Sequence, residues 1–187
     1  MLNYQPLIKE EKKYSGLTVK EISPIMKLNL RGKSRDFMSI IGKNINMILP
    51  IEANTSSSTD NYTSMWLSPD EWLIFSNNII DEENNNYKIE ELLFNKISKT
   101  NFGAITDVTD QFILINLNGE KVFDLLSAGC PFNFNDFKSK KGAVSQTLLN
   151  QIDIIIHHKE LNNVNLFVRK SFSEHLMSWI NDAASRL

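Results

Sequence analysis

The run Phe112-Ile113-Leu114-Ile115-Asn116-Leu117 constrains this chain more than any other feature. A nearly continuous apolar segment of this length, rich in β-branched and aromatic residues, belongs to a strand buried on both faces. It predicts a central strand, with a second strand just before it at Ala104 to Val108. Further strands are expected near 143–149, 152–157 and 164–169. Upstream, Ile25-Met26-Lys27-Leu28-Asn29-Leu30 alternates as a half-buried strand does, and Leu17 to Ile22 alternates more weakly.

Helical spacing fills the gaps. Ser34 opens a helix carrying Phe37, Ile40, Ile41 and Ile45 on one face, with the serine as N-cap. Tyr87 to Lys99 is amphipathic through Ile89, Leu92, Leu93 and Ile97, and Gly119 to Ala128 through Val122, Phe123, Leu125 and Leu126. At the end, Ser171-Phe172-Ser173-Glu174 has capping-box spacing, ahead of a face made by Phe172, Leu176, Trp179, Ile180 and Ala183. Ser68-Pro69-Asp70-Glu71, between the short apolar runs Thr63 to Leu67 and Trp72 to Phe75, suits either a capping box or a turn. The following run is too short for a helix, so a hairpin with proline at i+1 is the better reading. Asn54 to Asn61 and Asp81 to Asn86 read as polar loops, the first as a mobile one.

Residues 25–108 thus spell β-α-β-β-α-β and residues 111–186 spell β-α-β-β-β-α. The expected class is α+β, with two split-βαβ-like halves (about 25–108 and 111–187) sharing one continuous core in a single domain over 17–187. Residues 1–16 are expected to be a polar arm ordered against a partner.

Several function classes are excluded early. Lys+Arg 20 against Asp+Glu 22 provides no basic field for nucleic acid or anionic lipid. The loop of Lys138, Lys140 and Lys141 is too small a footprint, and Phe132, Phe134 and Phe137 before it suit packing beneath that loop. No apolar run approaches the roughly 18 residues that span a bilayer, and the first sixteen lack a secretory h-region. With one cysteine, a reducing, cytoplasmic setting is expected. No two of the 7 glycines form G-x-G, so a dinucleotide loop is not expected. Gly32-Lys33-Ser34 lacks the upstream glycine of a Walker loop, since Lys27 stands there.

His157 and His158 point to opposite faces of one strand and do not converge on a metal; solvated or partner-facing imidazoles are expected. Cys130 lies just past a helix C-terminus, where local charge opposes a thiolate, and suits a small buried structural residue. No catalytic, cofactor-binding or metal-ligating residue is therefore assigned to this chain.

Four motifs carry a resemblance: Trp66-Leu67-Ser68-Pro69-Asp70-Glu71-Trp72-Leu73, Asp107-Val108-Thr109-Asp110, Cys130-Pro131-Phe132-Asn133-Phe134, and Arg169-Lys170-Ser171-Phe172 followed by Trp179. In this order and spacing, from about residue 20 onward, the chain resembles the gamma subunit of heterotetrameric sarcosine oxidase. It departs from the family pattern at Ser68 (glycine there), Thr109 (serine there), Phe132, Asn133 and the inserted Lys170. The resemblance implies a tetrahydrofolate-aminomethyltransferase-like fold, related to the folate-binding domain of the glycine cleavage T-protein. It implies a complex that oxidatively demethylates sarcosine to glycine, releasing hydrogen peroxide and, with tetrahydrofolate, methylenetetrahydrofolate. Its FAD, FMN, NAD and tetrahydrofolate are expected in partner subunits and zinc in the delta subunit, with alpha, beta and delta chains as partners.

Two functional readings follow. In the first, the chain is a non-catalytic structural subunit. Trp66, Trp72 and Phe75 are then candidate interface anchors, as tryptophan is enriched at interface centres; the alternative is that all three sit in the chain's own core, the better reading for Trp66, whose strand partners are apolar. Pro69, Asp70, Glu71, Cys130, Pro131, Arg169, Ser171 and Trp179 complete the candidate interface or motif residues. Asp70 and Glu71 suit a solvated or ion-paired turn better than an acid–base pair. In the second, the chain is a free-standing folate-binding or aminomethyl-transferring protein, with Asp107 and Asp110 as the carboxylates to suspect. An aspartate capping a turn is their ordinary role.

Overall fold

A computed structural model describes residues 4–80 and 87–187; the polar loop expected at Asp81 to Asn86 lies outside the described residues. In chain order, β1 (Lys12–Tyr14), β2 (Leu17–Glu21) and β3 (Lys27–Gly32) lead into helix α1 (Arg35–Ile45). Then come β4 (Ser56–Ser58), β5 (Tyr62–Ser68), β6 (Glu71–Ser76), α2 (Tyr87–Ile97) and β7 (Gly103–Asp107). The rest reads β8 (Phe112–Asn118), α3 (Val122–Gly129), the short α4 (Phe134–Phe137), β9 (Val144–Leu149), β10 (Ile152–Glu160) and β11 (Asn163–Arg169). A 3-10 turn (Lys170–Phe172) and α5 (Ser173–Ala184) follow.

The chain divides into two compact units, one of Pro24–Asp110 and one combining the residues up to Ser23 with Gln111–Leu187. Each has one sheet: β4-β5-β6-β3-β7 in the first, β1-β2-β8-β11-β10-β9 in the second, with all pairings antiparallel. Each unit buries its own apolar cluster between sheet and helices. Leu28, Leu30, Trp72 and Ile74 meet Phe37 and Ile41 of α1 and Leu93 and Ile97 of α2. In the other unit, Ile113, Ile115, Leu117 and Leu166 meet Leu125 of α3 and Ile180 of α5.

The two sheets are built to one plan. Each half opens on an inner strand, β3 or β8, and continues through a helix, joined in the second half by the short α4, then three strands and a further helix. After α2, β7 returns to pair with β3. No described strand follows α5, and the matching place beside β8 is taken by β2 from far upstream. Thr18 Oγ1 donates to the Asn118 carbonyl at 3.1 Å across 100 positions of chain. The pattern read for residues 111–186 therefore ends on a helix because its last strand is supplied from the other end of the chain.

Local chemistry forms several expected elements. Ser34, with extended backbone, accepts the Phe37 N–H on its hydroxyl at 3.0 Å and starts α1. Asn46, at φ 52°, ends that helix in the left-handed region. Ser68 and Glu71 pair across a two-residue turn at Pro69-Asp70, so the hairpin forms.

Other segments depart from expectation. Part of the 1–16 arm belongs to the fold: Lys12–Tyr14 pairs with β2 and Ile8 is buried against the core. The polar loop 54–61 contains β4, whose serines give no apolar alternation; it forms because β5 offers a ladder, and Ser58 and Thr63 hydroxyls lie 3.0 Å apart. Ser171 does not cap the last helix. A 3-10 turn intervenes, α5 starts at Ser173, and the Ser173 hydroxyl donates to the Lys170 carbonyl at 2.7 Å. Phe172 lies outside the buried face, 49% exposed.

Lys27, on the polar side of its alternating strand, is only 2% exposed. Its ammonium donates to the Ile25 and Thr109 carbonyls at 3.2 Å each. The two histidines, expected to meet solvent or a partner, are also interior, His157 at 4% and His158 at 2% exposure. Ile154 to His158 are all buried because β10 lies between β9 and β11 with both faces covered. His158 sits 5.7 Å from the rings of both Phe123 and Phe137, and its Nδ1 donates to the Lys140 carbonyl at 2.8 Å. Burial, then the neighbouring charges of His158 and Lys159, push the His157 imidazole down to about 4.

Two outcomes follow. The folded chain holds His157 neutral while the unfolded chain protonates it near 6.5, so stability is full above that pH and falls as pH drops toward about 4. Urea unfolding from pH 7.5 to 4.5 will show a loss to which this residue adds on the order of 3 kcal/mol, and His157→Gln will flatten the profile. The β9–β10 turn holds Asn150 at φ 49° and Gln151 at φ 66°, the mirror-image turn that favours glycine. Gln151→Gly will raise the urea midpoint, by roughly 1 kcal/mol of stability.

Candidate functional site

The hairpin of β5 and β6 carries the first motif. Trp66 pairs with Trp72 across the strands, and a register irregularity separates that pair from Ser68↔Glu71. Ser68, which stands where the family pattern has glycine, donates its hydroxyl to the Asp70 carboxylate at 2.9 Å and so holds the turn by its side chain. The carboxylates at the tip are paired within their own unit. Glu71 accepts from Asn29 at 2.6 Å and from Arg31 at 2.9 Å, and Lys33 stands 3.9 Å from Asp70. That is an ion-paired turn. Trp72 is interior, its indole N–H donating to the Pro50 carbonyl at 2.8 Å and its ring 6.4 Å from Phe37. Phe75 is buried, while Trp66 is half-buried and Pro69 exposed.

Asp107 and Thr109 form a second structural knot. The Asp107 carboxylate accepts the Thr109 N–H at 2.8 Å, and the Thr109 hydroxyl accepts the Lys27 N–H at 2.9 Å. Asp107 is thus a turn cap, and threonine in the family's serine position keeps the hydroxyl that the contact needs. Asp110 is exposed.

Around Cys130 the same pattern holds. Its thiol is buried and contacts the Thr147 hydroxyl at 3.7 Å; burial pushes its pKa up, and the Thr147 contact offsets only part of that rise. Any side chain at Gly129 would place a Cβ 2.4 Å from the Trp179 ring, so glycine and tryptophan fit as a pair. Phe132, Phe134 and Phe137 pack edge to face with centroids 5.0 to 5.9 Å apart. Asn133, one of the departures from the family pattern, caps α4 by accepting the Asn135 N–H at 3.0 Å. Pro131 is exposed.

Arg169 and Ser171, at the end of β11 and in the 3-10 turn, are exposed. Arg169 borders an open depression of about 380 Å³ with Phe112, Asp153 and Phe167. A larger one, about 690 Å³, lies beside α1 and α2 between Ile40, Leu92 and Lys99 and touches none of the candidate interface or motif residues. Neither depression gathers more than one of the motifs. Among the described residues no group of three or more His, Cys, Asp and Glu is placed to hold a metal, and no helix is long and apolar enough to cross a membrane. Sequence reading passed over the outer edge of β7, because alternation along a strand does not reveal which strand ends a sheet.

Compared with curated protein sequences, the chain has no match. Among solved structures it resembles the heterotetrameric sarcosine oxidase from Corynebacterium sp. U-96 in complex with pyrrole 2-carboxylate, with a TM-score of 0.82 and 19% identity over 94% of this chain and 87% of that one. A weaker likeness, at TM-score 0.46 and 9% identity over 88% of this chain and 96% of that one, is to the regulatory subunit of aspartate kinase from Thermus thermophilus. The model of the sarcosine oxidase, gamma subunit family matches residues 31–186, nearly all of the sequence that bears the four motifs, and the chain belongs to that family.

Proposed function

We propose that this chain is a structural, non-catalytic subunit of a heterotetrameric sarcosine oxidase, contributing surfaces on which the partner chains assemble. The family match over residues 31–186 carries the reading. The state of the chemistry-bearing side chains supports it. Glu71 is tied to Asn29 and Arg31, Asp107 to a turn, Cys130 to the interior, and His158 to an aromatic cluster. Each such group serves the fold.

On this reading the partners are alpha, beta and delta chains. Flavin, NAD and folate chemistry resides in alpha and beta and zinc in delta, and the assembly works in the cytoplasm. The two antiparallel sheets with helices on one face of each suit the tetrahydrofolate-aminomethyltransferase-like fold that the motifs suggest, built here from two halves of one plan.

Co-expression with the other subunits tests the proposal. The tagged chain will co-purify with them in a fixed ratio, and leaving it out will abolish assembly and sarcosine-dependent peroxide release together. An oxidase that assembles and turns over normally without this chain would remove the structural role.

A further inference from the structure

The two sheets differ in strand order at one place. Inward from β7 the first runs β3-β6-β5-β4, and inward from β2 the second runs β8-β11-β10-β9, strand for strand alike. Beyond β2 lies β1, paired through Lys12↔Val19, Lys13↔Thr18 and Tyr14↔Leu17. Beyond β7, among the described residues, nothing is paired.

The groups on that open edge follow from register. Val108 N–H donates to the Lys27 carbonyl at 2.9 Å, and β7 pairs with β3 as Ile105↔Leu30, Thr106↔Asn29 and Asp107↔Leu28. Backbone groups alternate sides along an antiparallel strand. Ala104 and Thr106 therefore bond inward, while Ile105 and Asp107 turn their N–H and C=O outward. Natural edges are usually guarded by lysine, proline or a bulge. Gly103–Asp107 carries no lysine, proline or bulge, its one charged residue being Asp107 at the far end, and its register is regular. Phe102, just before the strand, is 39% exposed. The far end is acidic: Asp107 and Asp110 are exposed, and burial, then the charge of Asp107, push the Glu90 carboxyl upward.

We propose that β7 receives an extended segment of a partner subunit as an added antiparallel strand, as β2 receives β1, with a Lys or Arg of that segment beside Asp107. The internal template is for the backbone pairing, β1 lying antiparallel on β2, while the cation is inferred from the exposed carboxylates of Asp107 and Asp110. Main-chain bonds would supply the affinity and the charge the direction. The inference rests on the chain's acting as a subunit of a larger assembly.

Hydrogen exchange on the wild-type chain, alone and in the co-expressed complex, reads the edge directly. The amides of Ile105 and Asp107 should exchange at least tenfold more slowly in the complex. Ile105→Pro, which removes an outward N–H, should weaken assembly about tenfold or more, and Ile105→Val should leave it unchanged. Asp107→Asn keeps the turn cap, removes the charge and should weaken assembly about threefold at low salt. Assembly with equally fast exchange at both amides overturns the edge alone, even where the proline variant fails to fold. Protection in the chain by itself that rises with its concentration assigns the edge to a second copy and overturns the proposal. Failure of the wild-type chain to assemble overturns both readings.

Discussion

Five consecutive buried residues, Ile113 to Leu117, require β8 to be paired on both sides and covered on both faces. A buried backbone amide left without a partner costs about as much as several surface contacts provide. One side is satisfied by β11, seven residues in register. The other is satisfied by Leu17–Glu21, through a ladder running from Thr18↔Asn118 to Glu21↔Ile115. From that pairing follow the interruption of one unit by the other, the inclusion of the N-terminal segment in the core, and the place where β1 can attach.

The family motifs acquire a physical meaning once they are seen as joints. Ser68 and Asp70 hold a turn, Asp107 and Thr109 tie a strand end to Lys27, and Gly129 makes room for Trp179. Each fixes the geometry of a strand or helix terminus. A chain whose distinctive residues are spent on joints has its function on the surfaces those joints hold in place, which agrees with membership of a family of oxidase subunits.

Much of the architecture was legible because it is written locally. The Ser34 cap, the Pro69 turn, the helical stripes and the β8 run each need only a few neighbouring residues to specify them. What escaped is set by distant partners. Three serines become β4 because β5 offers a ladder, and Lys27, His157 and His158 are interior because of what covers their strands. At the level of function the motifs led to the family, while the open edge of β7 depends on sheet order, which no local pattern encodes.

The interrupted unit has a consequence for synthesis on the ribosome. Pro24–Asp110 is contiguous, so its sheet can close as soon as Asp107 has emerged. Leu17–Glu21, made earlier, can pair with β1 at once but must wait for β8 until Asn118 follows. The earlier-made strand of that ladder is thus among the last to find its seat on β8.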